Sequence, residues 1–203
     1  GDLSAIRPVM AAADAAMAAQ QHAVEGISIR DVVIASQSNG KLRLRLYEHD
    51  QPLVEGPRPA LLYIHGGGFL AGSVEVMDTL CSNMALKTDC TVVSVDYRLA
   101  PEHRFPAGFD DCYEALLWLS ESADAPEIDP DKLAVGGHSA GGCLAAAVAQ
   151  KSRDVGGPAI CFQLLVYPVT DDRHETLSSH SVFHDKLWNR SLSLAAWRAY
   201  LGP

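Results

Sequence analysis

Ser139 lies within the run Gly136-Gly137-His138-Ser139-Ala140-Gly141-Gly142, four glycines around one serine. Leu133-Ala134-Val135 before it is apolar enough for a short buried strand, and the alanine-rich stretch from Cys143 to Gln150 continues as a helix without a breaker. Strand, sharp turn and helix with Gly137-His138-Ser139-Ala140-Gly141 at the bend is the pattern of a nucleophile elbow. The serine must occupy a strained turn to project its hydroxyl from the sheet, and glycines let backbone pass close on both sides. The following helix would aim its free N–H groups and positive dipole end at the negative charge that develops in acyl transfer. A tight turn with a serine cap, or a phosphate cradle, shares part of this pattern. A P-loop, however, would place Lys after its last glycine, where this chain has Cys143.

A second glycine run, His65-Gly66-Gly67-Gly68-Phe69, follows the apolar segment Ala60-Leu61-Leu62-Tyr63-Ile64. Three bare glycines leave backbone N–H groups able to converge on an oxyanion. The alternative is a flexible connector, but connectors seldom follow an apolar strand so abruptly. A nucleophile elbow takes its partner donor from a loop of this kind, so the two runs strengthen each other.

The elements needed to hold these runs can be read in order. Residues 3–21 form an Ala/Met-rich helix whose apolar positions nearly encircle it, so it is expected to lie on another surface. Ile27 to Tyr47 reads as a β-hairpin turning at Ser38-Asn39-Gly40, with Leu42, Leu44 and Leu46 facing inward and Lys41, Arg43 and Arg45 facing water. Beyond the Ala60–Ile64 strand come a helix over Val74–Lys87, a strand at Thr91–Val95, a proline-punctuated loop from Asp96 to Ala107, and a helix over Gly108–Ser122. Ala159–Tyr167 is a further buried strand. This alternation implies an α/β fold with a mostly parallel sheet and helices on both faces.

HGGGF, then DYRLAPEHRFPA at Asp96–Ala107, then GHSAGG resemble, in that order and spacing, the hormone-sensitive-lipase-like branch of the α/β-hydrolase fold, the bacterial carboxylesterases. The resemblance runs from about Val24 to the last residue. It implies hydrolysis of short-chain carboxylic esters through an acyl-enzyme, with no metal and no cofactor. It implies Ser139 as nucleophile and the N–H groups of Gly67, Gly68 and Ala140 as oxyanion donors, with His65, Gly66, Gly137 and Gly141 supporting the two motifs. It also implies a helical cap, so the chain divides into cap pieces at about 1–25 and 175–203 around a catalytic core at about 26–174, in a single domain. The family most often has Asp where this chain has His138. An elbow throws neighbouring side chains in opposite directions, so His138 is expected to point away from the Ser139 hydroxyl. His65 and His103 are read as ordering groups near the oxyanion loop.

The family places its triad acid and histidine beyond two further strands, at least about 60 residues on. Neither has a matching position here, so both are expected beyond residue 203, and residues 1–203 are expected to be an incomplete domain. The sixth strand would then be paired on one side only, an aggregation hazard. A non-catalytic small-ligand-binding module on the same fold, or an inactive fragment of an esterase, is the alternative function.

Composition bounds the rest. The 203 residues carry a net charge of −9, with 48% apolar and 20% charged residues, which suits one globular domain and gives no electrostatic footprint for nucleic acid or an anionic membrane. No apolar run approaches the roughly 18 residues of a membrane span. Cys81, Cys90, Cys112, Cys143 and Cys161 are odd in number and scattered in mostly apolar segments, which favours reduced core thiols and a cytoplasmic location. His180 and His184 have a spacing that could ligate a metal on a helix, but polar cap residues are the favoured reading. Trp188, Leu192, Leu194, Trp197 and Tyr200 suggest a cap helix with an apolar face over the pocket. The expected partner is a small-molecule ester; a homodimer is compatible with the sequence, which does not decide the oligomeric state.

Overall fold

The computed structural model describes residues 3–51, 53, 55–121, 128–181 and 188–202. In chain order, helix α1 (Leu3–Ala19) precedes the hairpin β1 (Ile27–Ser36) and β2 (Gly40–His49), then β3 (Arg58–Ile64). A 3-10 turn (Glu75–Met77) leads into α2 (Asp78–Thr88), followed by β4 (Thr91–Val95), α3 (Ala107–Glu121) and β5 (Ile128–His138). Helix α4 (Ala140–Val155), β6 (Ile160–Val166), α5 (Leu177–Ser181) and α6 (Arg190–Leu201) complete it. The six strands form one sheet in the order β1-β2-β4-β3-β5-β6. β4, β3, β5 and β6 run parallel to one another, while β1 and β2 add an antiparallel edge.

Alternation along each strand sends side chains to two separate cores. Leu42, Leu44, Leu46, Leu62, Ile64, Val93, Leu133 and Val135 are buried against α3 and α4, which supply Leu116, Leu144 and Val148. On the opposite face Tyr47, Tyr63 and Val92 pack with Val76, Met77, Cys81 and Ala85 from the 3-10 turn and α2. The buried strands are therefore clamped from both sides, and their carboxyl ends, where Ile64 and His138 lie, hold the two glycine runs.

Three expectations need correction. Arg43 and Arg45 do not simply face water: Arg43 reaches Glu75 at 2.7 Å and Asp96 at 3.0 Å, and Arg45 reaches Asp31 at 2.7 Å and Asp78 at 3.2 Å. Strand alternation put them on the second face as expected, but the carboxylates of the 3-10 turn and α2 cover that face. Helix α1 does lie on another surface, as expected, and among the described side chains it does so along one stripe. Arg7 pairs with Glu102, Met10 packs on the first core, Asp14 accepts the Gly72 N–H at 2.7 Å, and Ala18 meets the second core. Val9 and Met17 are exposed. Of the cysteines only Cys81 and Cys112 are buried; Cys161 is exposed on β6. That strand, expected to be buried, is not: it lies at the sheet's outer edge, paired with β5 alone among the described residues, and none of its residues is buried, Phe162 being 59% exposed.

Candidate active site

Strand β5 ends at His138, α4 begins at Ala140, and Ser139 joins them with φ 54° and ψ −120°. A non-glycine residue rarely holds such a backbone, so the packing around it must impose it. The end of β3 does so by running very close to the turn. A methyl group on Gly141 would lie 2.0 Å from the Ile64 carbonyl oxygen, and one on Gly137 would lie 2.5 Å from the same atom. Only glycine fits at either place. The Ser139 N–H is held by the Val166 carbonyl, and its own carbonyl accepts from Cys143 and Val169. Ala140 N–H is at the start of α4, where no intrahelical acceptor exists.

The His65–Phe69 loop is pinned peptide by peptide. The His65–Gly66 peptide is held at both ends: Tyr97 Oη donates to the His65 carbonyl at 3.0 Å, and the Gly66 N–H donates to His138 Nε2 at 3.1 Å. His65 Nδ1 donates to the Gly66 carbonyl at 2.7 Å. A trans peptide points its N–H opposite its carbonyl, so that bond sets the direction of the Gly67 N–H. The Gly67 carbonyl accepts from Leu70 and Ala71, each at 3.1 Å, and so aims the Gly68 N–H in the same way. Donors whose planes are held before any charge arrives are the arrangement that stabilises an oxyanion. Gly68 and Ser139 line one cavity, together with Phe69, Val169, Trp188, Ser193, Ala196 and Trp197.

The proline-punctuated Asp96–Ala107 loop finds its use here. Tyr97 stacks on the His65 ring at 4.3 Å between centroids, and the Ala100 N–H donates to the Phe69 carbonyl at 2.9 Å. Arg98 anchors this brace on fully buried Asp111 of α3, through its backbone N–H at 2.8 Å and its guanidinium at 2.8 and 2.9 Å. Phe69 in turn carries the helix above it, stacking on Tyr200 of α6 at 4.1 Å and meeting Trp197 at 5.0 Å.

His138 points away from the serine, as the elbow geometry requires: its two ring nitrogens serve Gly66 and Tyr63, the latter at 3.2 Å. His65 is buried, and its Nε2 has no partner among the described residues. Burial pushes both imidazoles below the ordinary histidine range. His103, expected as an ordering group, is exposed, and its backbone N–H donates to the Leu99 carbonyl at 3.0 Å. His184 lies outside the described residues, and no cluster of three or more potential metal ligands occurs among those described. The residues sequence reading missed are Tyr63 and Tyr97, aromatic side chains that support the two runs from other elements; Trp188, expected over the pocket, lines it.

A mostly parallel sheet carrying a serine on a strained strand-to-helix turn, beside a pinned glycine loop, defines the α/β-hydrolase class. The chain belongs to that family: a family model described as alpha/beta hydrolase fold matches residues 61–203. The stretch aligned with esterase LipI of Mycobacterium tuberculosis is 45% identical over 131 residues, 64% of this chain and 41% of that protein. An ethyl acetate hydrolase of Pseudomonas putida is 43% identical over 148 residues, 70% of this chain and 45% of that protein. Among solved structures, a bacterial heroin esterase superposes with TM-score 0.89 at 40% identity, covering 99% of this chain and 63% of that one. The chain thus spans less than two thirds of these proteins. The resemblance to hormone-sensitive-lipase-like esterases read from the sequence agrees with these relatives. No helix among the described residues is long and apolar enough to cross a membrane.

Proposed function

We propose that Ser139 is the nucleophile of a carboxylic ester hydrolase that acts on short acyl chains. The observation that carries this reading is the meeting of a strained Ser139 with the pinned Gly67–Gly68 loop on one cavity. In the reaction, Ser139 Oγ bonds to the ester carbonyl carbon as its proton passes to an imidazole base. The N–H groups of Gly67, Gly68 and Ala140 receive the resulting oxyanion, each donor contributing about 3 kcal/mol to the barrier. Collapse expels the alcohol with the returned proton and leaves an acyl-serine, which water releases by the same steps. None of the described histidines with a defined partner serves Ser139: His138 and His65 are committed to the loop. The base and its orienting acid are assigned to residues beyond 203, as the family resemblance implies.

Short acyl chains are what the resemblance to the bacterial carboxylesterases implies. Relatives described as an ethyl acetate hydrolase and as carboxylesterases fit the small-ester reading.

The test is covalent labelling of the intact protein with a fluorophosphonate, followed by peptide mass spectrometry. One adduct on Ser139, absent in Ser139→Ala, is expected together with loss of ester turnover. Undiminished turnover in Ser139→Ala would overturn the assignment.

A further inference from the structure

We infer that His138, which stands where the resembled family most often has Asp, is a positioning residue for the oxyanion loop and works only as a neutral imidazole. The inference rests on the esterase reading of Ser139 for its effect on turnover, and on hydrogen-bond chemistry for its structural part.

The argument starts from what each atom can do. A backbone N–H only donates, so the Gly66 N–H at 3.1 Å requires a lone pair on His138 Nε2. The proton of the neutral ring must then sit on Nδ1, where it donates to Tyr63 Oη at 3.2 Å. A carboxylate at this position would accept the Gly66 N–H over nearly the whole pH range. An imidazole loses that ability when it takes a second proton, because Nε2–H then faces N–H. The contact is close: a methyl group at Gly66 would lie 2.8 Å from both Nε2 and Cδ2 of His138, so the two N–H groups would be pressed together. The contact must then open, which frees the Gly66 peptide to turn and with it the Gly67 N–H that follows in the chain.

The groups facing the ring do nothing to favour the charged form. Tyr63 of β3 lies nearly parallel to it at 5.9 Å, and burial pushes the Tyr63 hydroxyl up to about 12, so it stays neutral. Tyr167, after β6, meets the ring edge-on at 6.2 Å. His65, across the loop, is itself held neutral by burial. No carboxylate is among the described groups that act on His138. The two histidines therefore hold Gly66 as a pair, His65 Nδ1–H on its carbonyl and His138 Nε2 on its N–H.

Two measurements on the intact protein test this. Long-range proton–nitrogen NMR of ring-labelled histidine reports the tautomer directly: Nδ1–H with a bare Nε2 is expected for His138, and the Nε2–H tautomer would overturn the inference. This readout is independent of Ser139, so it stands or falls apart from the esterase reading, which Ser139→Ala tests. The second is kinetic. His138→Phe keeps the ring volume without an acceptor and is expected to lower kcat on the order of 100-fold, by misplacing the donors, with a much smaller change in KM. His138→Gln offers a carbonyl that does not titrate and is expected to recover most of that loss. The acid limb of kcat/KM should then reflect one protonation in His138→Gln, that of the catalytic base, and two in the wild type. Identical acid limbs in the two proteins, or full kcat in a folded His138→Phe, would overturn it. Should His138→Phe fail to fold, the comparison of wild type with His138→Gln decides alone.

Discussion

Trp188 lies against Gly68 so closely that a methyl group added there would sit 2.1 Å from its Cη2 atom. The indole is tethered on its other side, Nε1 donating to Ser193 Oγ at 2.5 Å. A ring held between the oxyanion loop and α6 occupies space that an acyl chain would otherwise fill. Trp188→Ala should therefore shift preference toward longer acyl chains. The ratio of kcat/KM for acetate over hexanoate esters is expected to fall about tenfold or more, as each methylene in an apolar pocket is worth about 1–3 kcal/mol. An unchanged ratio would place the acyl chain elsewhere.

The backbone of Ser139 predicts a stability difference opposite to the usual one. At φ 54° and ψ −120° a side chain is strained, and glycine is not. Ser139→Gly should thus be more stable than Ser139→Ala by about 1 kcal/mol, although glycine normally costs more chain entropy. Urea unfolding of the two variants, both inactive, makes the comparison without interference from turnover. Equal midpoints would mean that the turn relaxes once the hydroxyl is gone.

What the sequence showed and what it hid divide along a physical line. The elbow was legible because its requirements fall on neighbouring residues: Gly137 and Gly141 must be small where β3 passes, and both are within two positions of Ser139. The sheet was legible for the same reason, since burial on a strand repeats every second residue. The support of the oxyanion loop was not. Tyr97 reaches it from the loop after β4, Tyr63 of β3 supports it through His138, and only the strand order brings those ends together. Arg43 and Arg45 were placed on the right face, but alternation cannot tell whether that face meets water or the carboxylates of Glu75 and Asp78. The direction of His138 was readable from the elbow, while its partner, Gly66, was not.

The Arg98–Asp111 pair is the anchor of the brace beneath the loop, and its removal should be costly. Asp111 is completely buried and takes the Arg98 backbone N–H as well as the guanidinium, so Asp111→Ala leaves that N–H without its acceptor while the guanidinium keeps only Ser38 and Ala107. Losing one partner of a buried, hydrogen-bonded ion pair destabilises by about 3–5 kcal/mol. Chemical denaturation should show that loss. A change below about 1 kcal/mol, the size expected of an exposed pair, would mean that water replaces the carboxylate.

Acid should weaken the fold through the same two imidazoles that order the loop. Burial holds His65 and His138 below their ordinary value of 6.5, so the folded protein keeps both neutral where the unfolded chain begins to take up protons. The unfolded state then binds more protons, and stability falls with pH from about 6.5 down through the two folded-state values. Above about 6.5 neither state protonates these rings and their contribution is complete. Tm is therefore expected to decline between about pH 7 and pH 5.5, before ordinary carboxylates begin to titrate. His138→Gln, which removes one of the two titrating groups, should decline less steeply over that interval. The same decline in variant and wild type would show that His138 takes its proton as readily folded as unfolded, which its contact with the Gly66 N–H does not permit.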